Sequence, residues 1–266
     1  MGFLEKLAQA RKRRESALCV GLDPASIFFK EEDSIPRGYF ERNDEVAGML
    51  EFCLDIVEKT SAGALAYKAN AQYVMPFSLQ QLQRLNRKIA DAGCVSIYDL
   101  KLSDIGSSNE SAAYWIRKAG FDAFTFSPFA GNIAETAGFA HKAGLGVLVL
   151  ALMSNPEARI FMRDSIIDNR PGYEWICSEA ARAGADGVVA GATSEAGELA
   201  EIREIIGKEM TILIPGVGRQ GGGLEAAAKA GENVLVNVGR SLIYSDDPAK
   251  AALEYRKKIN SAMAGR

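Results

Sequence analysis

The sequence predicts an α/β fold of one domain, a (β/α)8 TIM barrel spanning residues 1–266 with a helix ahead of the first strand. Three observations carry this expectation. Eight short apolar runs alternate with helical patterns from end to end, the signature of βα units around a parallel sheet. Five of the helical stretches close on an Ala-Gly step, at Ala92-Gly93, Ala119-Gly120, Ala143-Gly144, Ala183-Gly184 and Ala230-Gly231, where glycine supplies a left-handed stop. The length, 266 residues, is close to the ~250 at which such barrels typically close.

The expected strands run from Ala17 to Asp23, Gly63 to Ala69, Cys94 to Lys101, Ala123 to Pro128, Gly146 to Leu152, Gly187 to Ala192, Ile212 to Val217 and Val234 to Arg240. Between them, apolar residues recur at helical spacing in Val46 to Lys59, Leu79 to Ala90, Ser111 to Ala119, Tyr173 to Ala183, Glu195 to Ile206 and Leu224 to Ala230. The polar stretches Pro24 to Asn43 and Ser154 to Arg170 read as elaborated loops after the first and fifth strands, at the barrel mouth. A doubly wound open sheet is the second reading of the same pattern.

Composition narrows the function. Hydrophobic residues make up 48% and charged residues 24%, as in an ordinary globular protein. A formal net charge of −3 gives no global basic field, which argues against nucleic acid as a partner. The dense basic run Arg11-Lys12-Arg13-Arg14 reads as the solvated end of the first helix. Neither a signal peptide nor a membrane-length apolar stretch is expected, so a cytoplasmic protein without a membrane partner is predicted. Cys19, Cys53, Cys94 and Cys177 are far apart in apolar surroundings and read as reduced core thiols. With His141 as the one histidine, a two-histidine metal site is impossible, and a Ser-His-Asp triad would hang on a residue that reads as helix surface.

Charge collects where strands end. Side chains two apart on a strand share a face, so Asp99 and Lys101 are expected above Val95 and Ile97, Lys68 above Ala64 and Ala66, and Asp23 above Cys19 and Gly21. Taken singly, each is an ordinary solvated strand end. Together they place inward charges on three adjacent strands, at the end of the barrel where active sites form. A second anchor is the run Pro215-Gly216-Val217-Gly218-Arg219-Gln220-Gly221-Gly222-Gly223, followed by Asn237-Val238-Gly239-Arg240-Ser241. Loops after the seventh and eighth strands commonly bind phosphate, with glycines admitting backbone N–H groups, Arg240 adding charge and Gln220 a neutral donor.

These residues resemble the orotidine 5′-phosphate decarboxylase family over nearly the whole chain. The family's D-x-K-x-x-D-I signature appears as Asp99-Leu100-Lys101-Leu102-Ser103-Asp104-Ile105, its first-strand motif as Gly21-Leu22-Asp23-Pro24, and its second-strand lysine as Lys68 in Tyr67-Lys68-Ala69-Asn70. Ser154 in Met153-Ser154-Asn155-Pro156 is similar to the pyrimidine-contacting serine, and Gln220 and Arg240 to the phosphate ligands. Ser108 stands where many members have threonine. Pro215 and Gly239 complete the expected substrate-binding set, with Asp23, Ile105, Ser108, Ser154, Gln220 and Arg240.

The resemblance implies conversion of orotidine 5′-monophosphate (OMP) to uridine 5′-monophosphate (UMP), the last step of de novo pyrimidine nucleotide synthesis, without cofactor or metal. Its implied catalytic residues are Lys101, Asp99, Asp104 and Lys68, with Lys101 protonating a carbanion. Asp99 would lie near the substrate carboxylate, and Lys68 and Asp23 at the ribose hydroxyls. It further implies a homodimer in which Asp104 and Ile105 enter the neighbouring subunit's site. Two alternatives stand beside it: a Mg²⁺-dependent sugar-phosphate decarboxylase or hexulose-phosphate synthase of the same suprafamily, and a silent nucleotide-phosphate binder.

Overall fold

Eight parallel strands close into a barrel in chain order, with helices on the outside. The computed structural model describes residues 1–191, 197–217, 224, 228 and 230–264. The strands are β1 (Leu18–Leu22), β2 (Ala66–Asn70), β3 (Val95–Leu102), β4 (Ala123–Phe126), β5 (Gly146–Leu152), β6 (Gly187–Ala190), β7 (Thr211–Ile214) and β8 (Val234–Val238). Each overlaps an expected run, and β8 pairs back onto β1, Leu18 against Val236 and Val20 against Val238. The open-sheet reading is thereby set aside.

The principal helices are α1 (Phe3–Arg14), α2 (Glu45–Thr60), α3 (Leu79–Asp91), α4 (Gly106–Lys118), α5 (Ile133–Lys142), α6 (Gly172–Arg182), α7 (Glu198–Ile206) and α8 (Pro248–Ala264). Glycines 93, 120, 144, 184 and 231 all have positive φ, as the Ala-Gly steps require. The expected helix from Leu224 to Ala230 lies largely outside the described residues. Among the described residues, no helix is long and apolar enough to cross a membrane.

The barrel interior is a packed core. Cys19, Ala66, Val95, Ile97, Ala123, Leu148, Leu213 and Leu235 fill it from successive strands. Phe3, Leu7 and Ala10, spaced to share one face of α1, join the same cluster. Burying Phe3 and Leu7 contributes about 1.5–3 kcal/mol apiece. A Cβ on Gly146 would stand 2.5 Å from the Phe3 ring, so the start of β5 must be bare for α1 to seat. With its lower end so filled, the barrel can take a ligand at the opposite mouth.

The basic run of α1 corrects the sequence reading. Arg11 donates to the carbonyls of Val234 (2.8 Å) and Glu232 (3.3 Å), and Arg14 donates to the carbonyl of Ala92. Burial, then the positive charge of Arg203, lowers the Arg11 guanidinium to about 10. Two of the four basic residues therefore tie α1 to the start of β8 and the end of α3. The four cysteines are free and buried as expected, and burial pushes the Cys19 thiol up to about 12. His141 is a half-exposed helix residue whose Nε2 lies 3.0 Å from Asp186.

Strand ends differ from the expected boundaries for local reasons. β7 stops at Ile214 because Pro215 has no N–H to continue the ladder. β8 stops at Val238; Gly239 (φ −107°, ψ −111°) turns the chain, and Arg240 begins a short helix, Arg240–Ile243, instead of ending the strand. The loop after β5 carries a short helix, Ala158–Met162, and a two-residue antiparallel ribbon pairing Ile166–Ile167 with Arg170–Pro171. Arg163 clamps this loop to α7 through a bidentate pair with Glu198 (2.6 and 3.0 Å).

Candidate active site

Strand periodicity alone carries Lys68 and Asp99 to the mouth. Lys68 is 5% exposed and Asp99 7%, and Lys68 Nζ lies 2.6 Å from Asp99 Oδ2. Lys101 Nζ lies 2.8 Å from the other oxygen, Oδ1. One buried carboxylate thus joins two ammonium groups, which would otherwise repel each other across a few ångströms.

Lys101 does not reach this position by simple parity. Tyr98 pairs with Phe124 and Leu102 with Phe126, so three residues of β3, Asp99 to Lys101, oppose Thr125 alone on β4. This bulge turns Lys101 to φ +54°, a left-handed conformation uncommon for a residue with a side chain. Such backbone concentrates at functional sites. The expectation that Asp99 and Lys101 share the mouth is met in outcome, through a bulge instead of a regular pleat.

Electrostatics follow from the same contacts. Burial would raise the Asp99 carboxyl, but Lys68 and Lys101 overcome it and hold the group down at about 2. For Lys68 burial works toward deprotonation; the Asp99 and Asp23 carboxylates outweigh it, and the ammonium is held above its ordinary value. Asp99 is therefore ionised and Lys68 charged throughout the physiological range.

A cavity of about 250 Å³ opens beside this array, lined by Asp23, Lys68, Pro215, Asn237, Gly239 and Arg240 among others. It brings together residues of β1, β2 and the segments after β7 and β8 that the sequence assigned to substrate. Asp23 Oδ1 and Asn237 Oδ1 are buried without a hydrogen-bond partner among the described residues. Leaving such acceptors unmade is costly, which makes them candidates to face a ligand. The backbones of β1 and the segment after β8 approach closely here: a Cβ on Gly21 would stand 3.1 Å from the Gly239 Cα. Arg240, its side chain 46% exposed, has Nη1 3.9 Å from the Asp33 carboxylate in the long loop after β1. Gln220 lies outside the described residues.

The remaining candidates are set around the rim. Ser154 follows β5 and packs against Gly191, where a Cβ would approach it to 2.8 Å. Ser108 is exposed in the first turn of α4. Ile105 is 63% exposed. Asp104 is also exposed: its carboxylate accepts the Ile105 N–H (2.8 Å), and its carbonyl accepts from Asn109 (2.6 Å) and Asn132 (3.0 Å). Among the described residues Asp104 forms no ion pair, so within one chain neither Lys68 nor Lys101 pairs with it.

The family model for the orotidine 5′-phosphate decarboxylase / HUMPS family matches residues 16–255. The chain belongs to this family. It is 36% identical to the orotidine 5′-phosphate decarboxylase of Roseiflexus castenholzii, over 99% of both chains. It is 34% identical to that of Cupriavidus metallidurans, over 96% of this chain and 94% of the relative. Among solved structures, the Leishmania donovani OMP decarboxylase superposes with a TM-score of 0.81 at 28% identity, covering 99% of both chains.

One residue of this family member's mouth escaped the sequence reading. Thr125 Oγ1 donates to Asp99 Oδ1 (2.9 Å) and accepts the backbone N–H of Lys101 (2.9 Å). Its signal was present: in Ala123-Phe124-Thr125-Phe126 it is the one polar residue, two places beyond the inward-facing Ala123. Threonine is common in strands, which masked it.

Proposed function

We propose that this protein decarboxylates OMP to UMP without metal or cofactor, in pyrimidine nucleotide synthesis. The observation that carries the reading is the buried Asp99 carboxylate bridged by two lysine ammonium groups at the mouth of a barrel of this family. The names of the relatives over nearly the whole chain support the nucleotide over a sugar phosphate.

The chemistry asks for a fixed positive charge. Breaking the bond between C6 of orotate and its carboxylate releases CO₂ and leaves the electron pair on C6, where no neighbouring carbonyl delocalises it. The Lys101 ammonium stabilises that pair electrostatically, then donates a proton to C6, giving UMP and a neutral amine that is reprotonated from solvent. Asp99 holds the ammonium in place and faces the departing carboxylate. Lys68 and the unpaired Asp23 oxygen meet the ribose hydroxyls. Both oxygens of Asp99 already accept ammonium donors, an arrangement a metal-ligating carboxylate would have to surrender, and this supports the metal-free route.

Ser154 serves the pyrimidine, Ser108 the ribose of the partner's substrate alongside Asp104 and Ile105, and Pro215, Gln220, Gly239 and Arg240 the phosphate. The exposed carboxylate of Asp104 and the exposed side chains of Ile105 and Phe129 suit burial against a second copy, making the enzyme a homodimer. The free, buried thiols suit the reducing cytoplasm.

The direct test follows the loss of OMP absorbance with and without a chelator. Turnover that EDTA leaves unchanged is expected. Absence of decarboxylation, or turnover of a ketose or hexulose phosphate that EDTA abolishes, would reject the proposal. In the same assay Arg240→Ala is expected to lower kcat/KM by about 10²-fold through loss of charge-assisted bonds to phosphate. Its Tm should stay within a few degrees, because Arg240 is half exposed. An unchanged kcat/KM would remove Arg240 from the phosphate site.

A further inference from the structure

We propose that Thr125 is a positioning residue for the decarboxylation, its hydroxyl fixing the backbone of Lys101 and the carboxylate of Asp99 together. This rests on the function proposed above.

The geometry fixes the direction of each hydrogen bond. A hydroxyl has one proton and two lone pairs. The backbone N–H of Lys101 can only donate, so Thr125 Oγ1 accepts there at 2.9 Å. The ionised Asp99 can only accept, so the hydroxyl proton goes to Oδ1, also at 2.9 Å. Oδ1 therefore receives Thr125 and the Lys101 ammonium, while Oδ2 receives Lys68. Thr125 itself is 1% exposed, which excludes bulk water as a substitute partner.

The bulge explains why a side chain is needed. In a regular ladder the N–H of Lys101 would face β2, as that of Val95 does, because Ser96 and Leu102 are the residues that bond towards β4. Three residues of β3 oppose one of β4 at this point, and the irregularity turns the Lys101 N–H to β4 instead. Thr125 Oγ1 is the acceptor that this turned N–H meets, and it supports the left-handed backbone of Lys101. One hydroxyl thus sets the root of the Lys101 side chain and, through Asp99 Oδ1, its tip. Small displacements of a proton donor are costly to the chemical step, whereas the contacts proposed for phosphate and ribose come from Asp23, Lys68, Ser108 and the segments after β7 and β8, none of them on β4.

The test compares Thr125→Val, which keeps the shape and removes the hydroxyl, with Thr125→Ser, which keeps the hydroxyl. For T125V, kcat for OMP is expected to fall roughly 10²-fold while KM stays within about threefold. For T125S, kcat should return to within about fivefold of wild type. A T125V kcat equal to wild type overturns the proposal, as does T125S impaired as deeply as T125V, since the methyl and not the hydroxyl would then matter. If T125V does not fold, Thr125→Ala is judged by the same kcat criterion. If neither folds, Thr125 belongs to the barrel's stability and the assignment is rejected. Wild-type enzyme runs alongside: its failure to decarboxylate OMP strikes the proposed function, while an active wild type beside an unimpaired T125V strikes this inference alone.

Discussion

Replacing Lys101 with alanine is expected to lower kcat on OMP on the order of 10⁵-fold, because in the proposed mechanism one ammonium supplies both the charge opposite the carbanion and the proton that quenches it. The fold should survive the change. Asp99 would keep Lys68 at 2.6 Å and Thr125 at 2.9 Å, so its charge stays paired, and the Lys101 side chain, 36% exposed, is a minor part of the core. Lys68 is the contrasting case: it is buried, and its loss would leave Asp99 with less support in a low-dielectric setting. Lys101→Arg separates the two duties of the ammonium. A guanidinium keeps the charge but gives up its proton far less readily, so this variant should remain strongly impaired if proton delivery matters. Circular dichroism and Tm establish folding independently of activity. A folded K101A enzyme with near-wild-type turnover would remove Lys101 as proton donor and return the array to a structural role.

How much of this was legible in the sequence depends on which physical rule placed each residue. The barrel followed from alternation and from glycine stops, both strictly local. Lys68 and Asp99 were legible because the pleat has a period of two. Lys101 was read correctly for an incomplete reason, since the bulge that turns it inward depends on how β3 meets β4, which no single-strand pattern contains. Thr125 is not legible for the same cause: the role proposed for it is a contact across that irregular pairing. Arg11 and Arg14 were read as solvated because a run of charge says nothing about the carbonyl groups that another part of the chain leaves unpaired beside it. Asp104 entered through family resemblance; its own chain gives it no charged partner among the described residues.

That isolation of Asp104 yields the second large expected effect. Asp104→Ala and Lys101→Ala enzymes should each be nearly inactive alone, yet mixing them with subunit exchange is expected to restore up to roughly a quarter of wild-type activity by random pairing in the proposed two-fold dimer. The arithmetic follows from sharing. In a hybrid, one site takes Lys101 from the first variant's chain and Asp104 from the second, and is wholly wild type; the other site lacks both. Half the dimers are hybrids with one intact site in two. If Asp104 instead served the Lys101 of its own chain, no hybrid would contain an intact site and the mixture would stay at background. The proposed sharing fits an exposed segment: the Asp104 carbonyl is held by Asn109 and Asn132 while its carboxylate takes the Ile105 N–H, on a surface where Ile105 is also exposed. Differently tagged copies would verify exchange, and a background rate from demonstrated hybrids would assign each active site to a single chain.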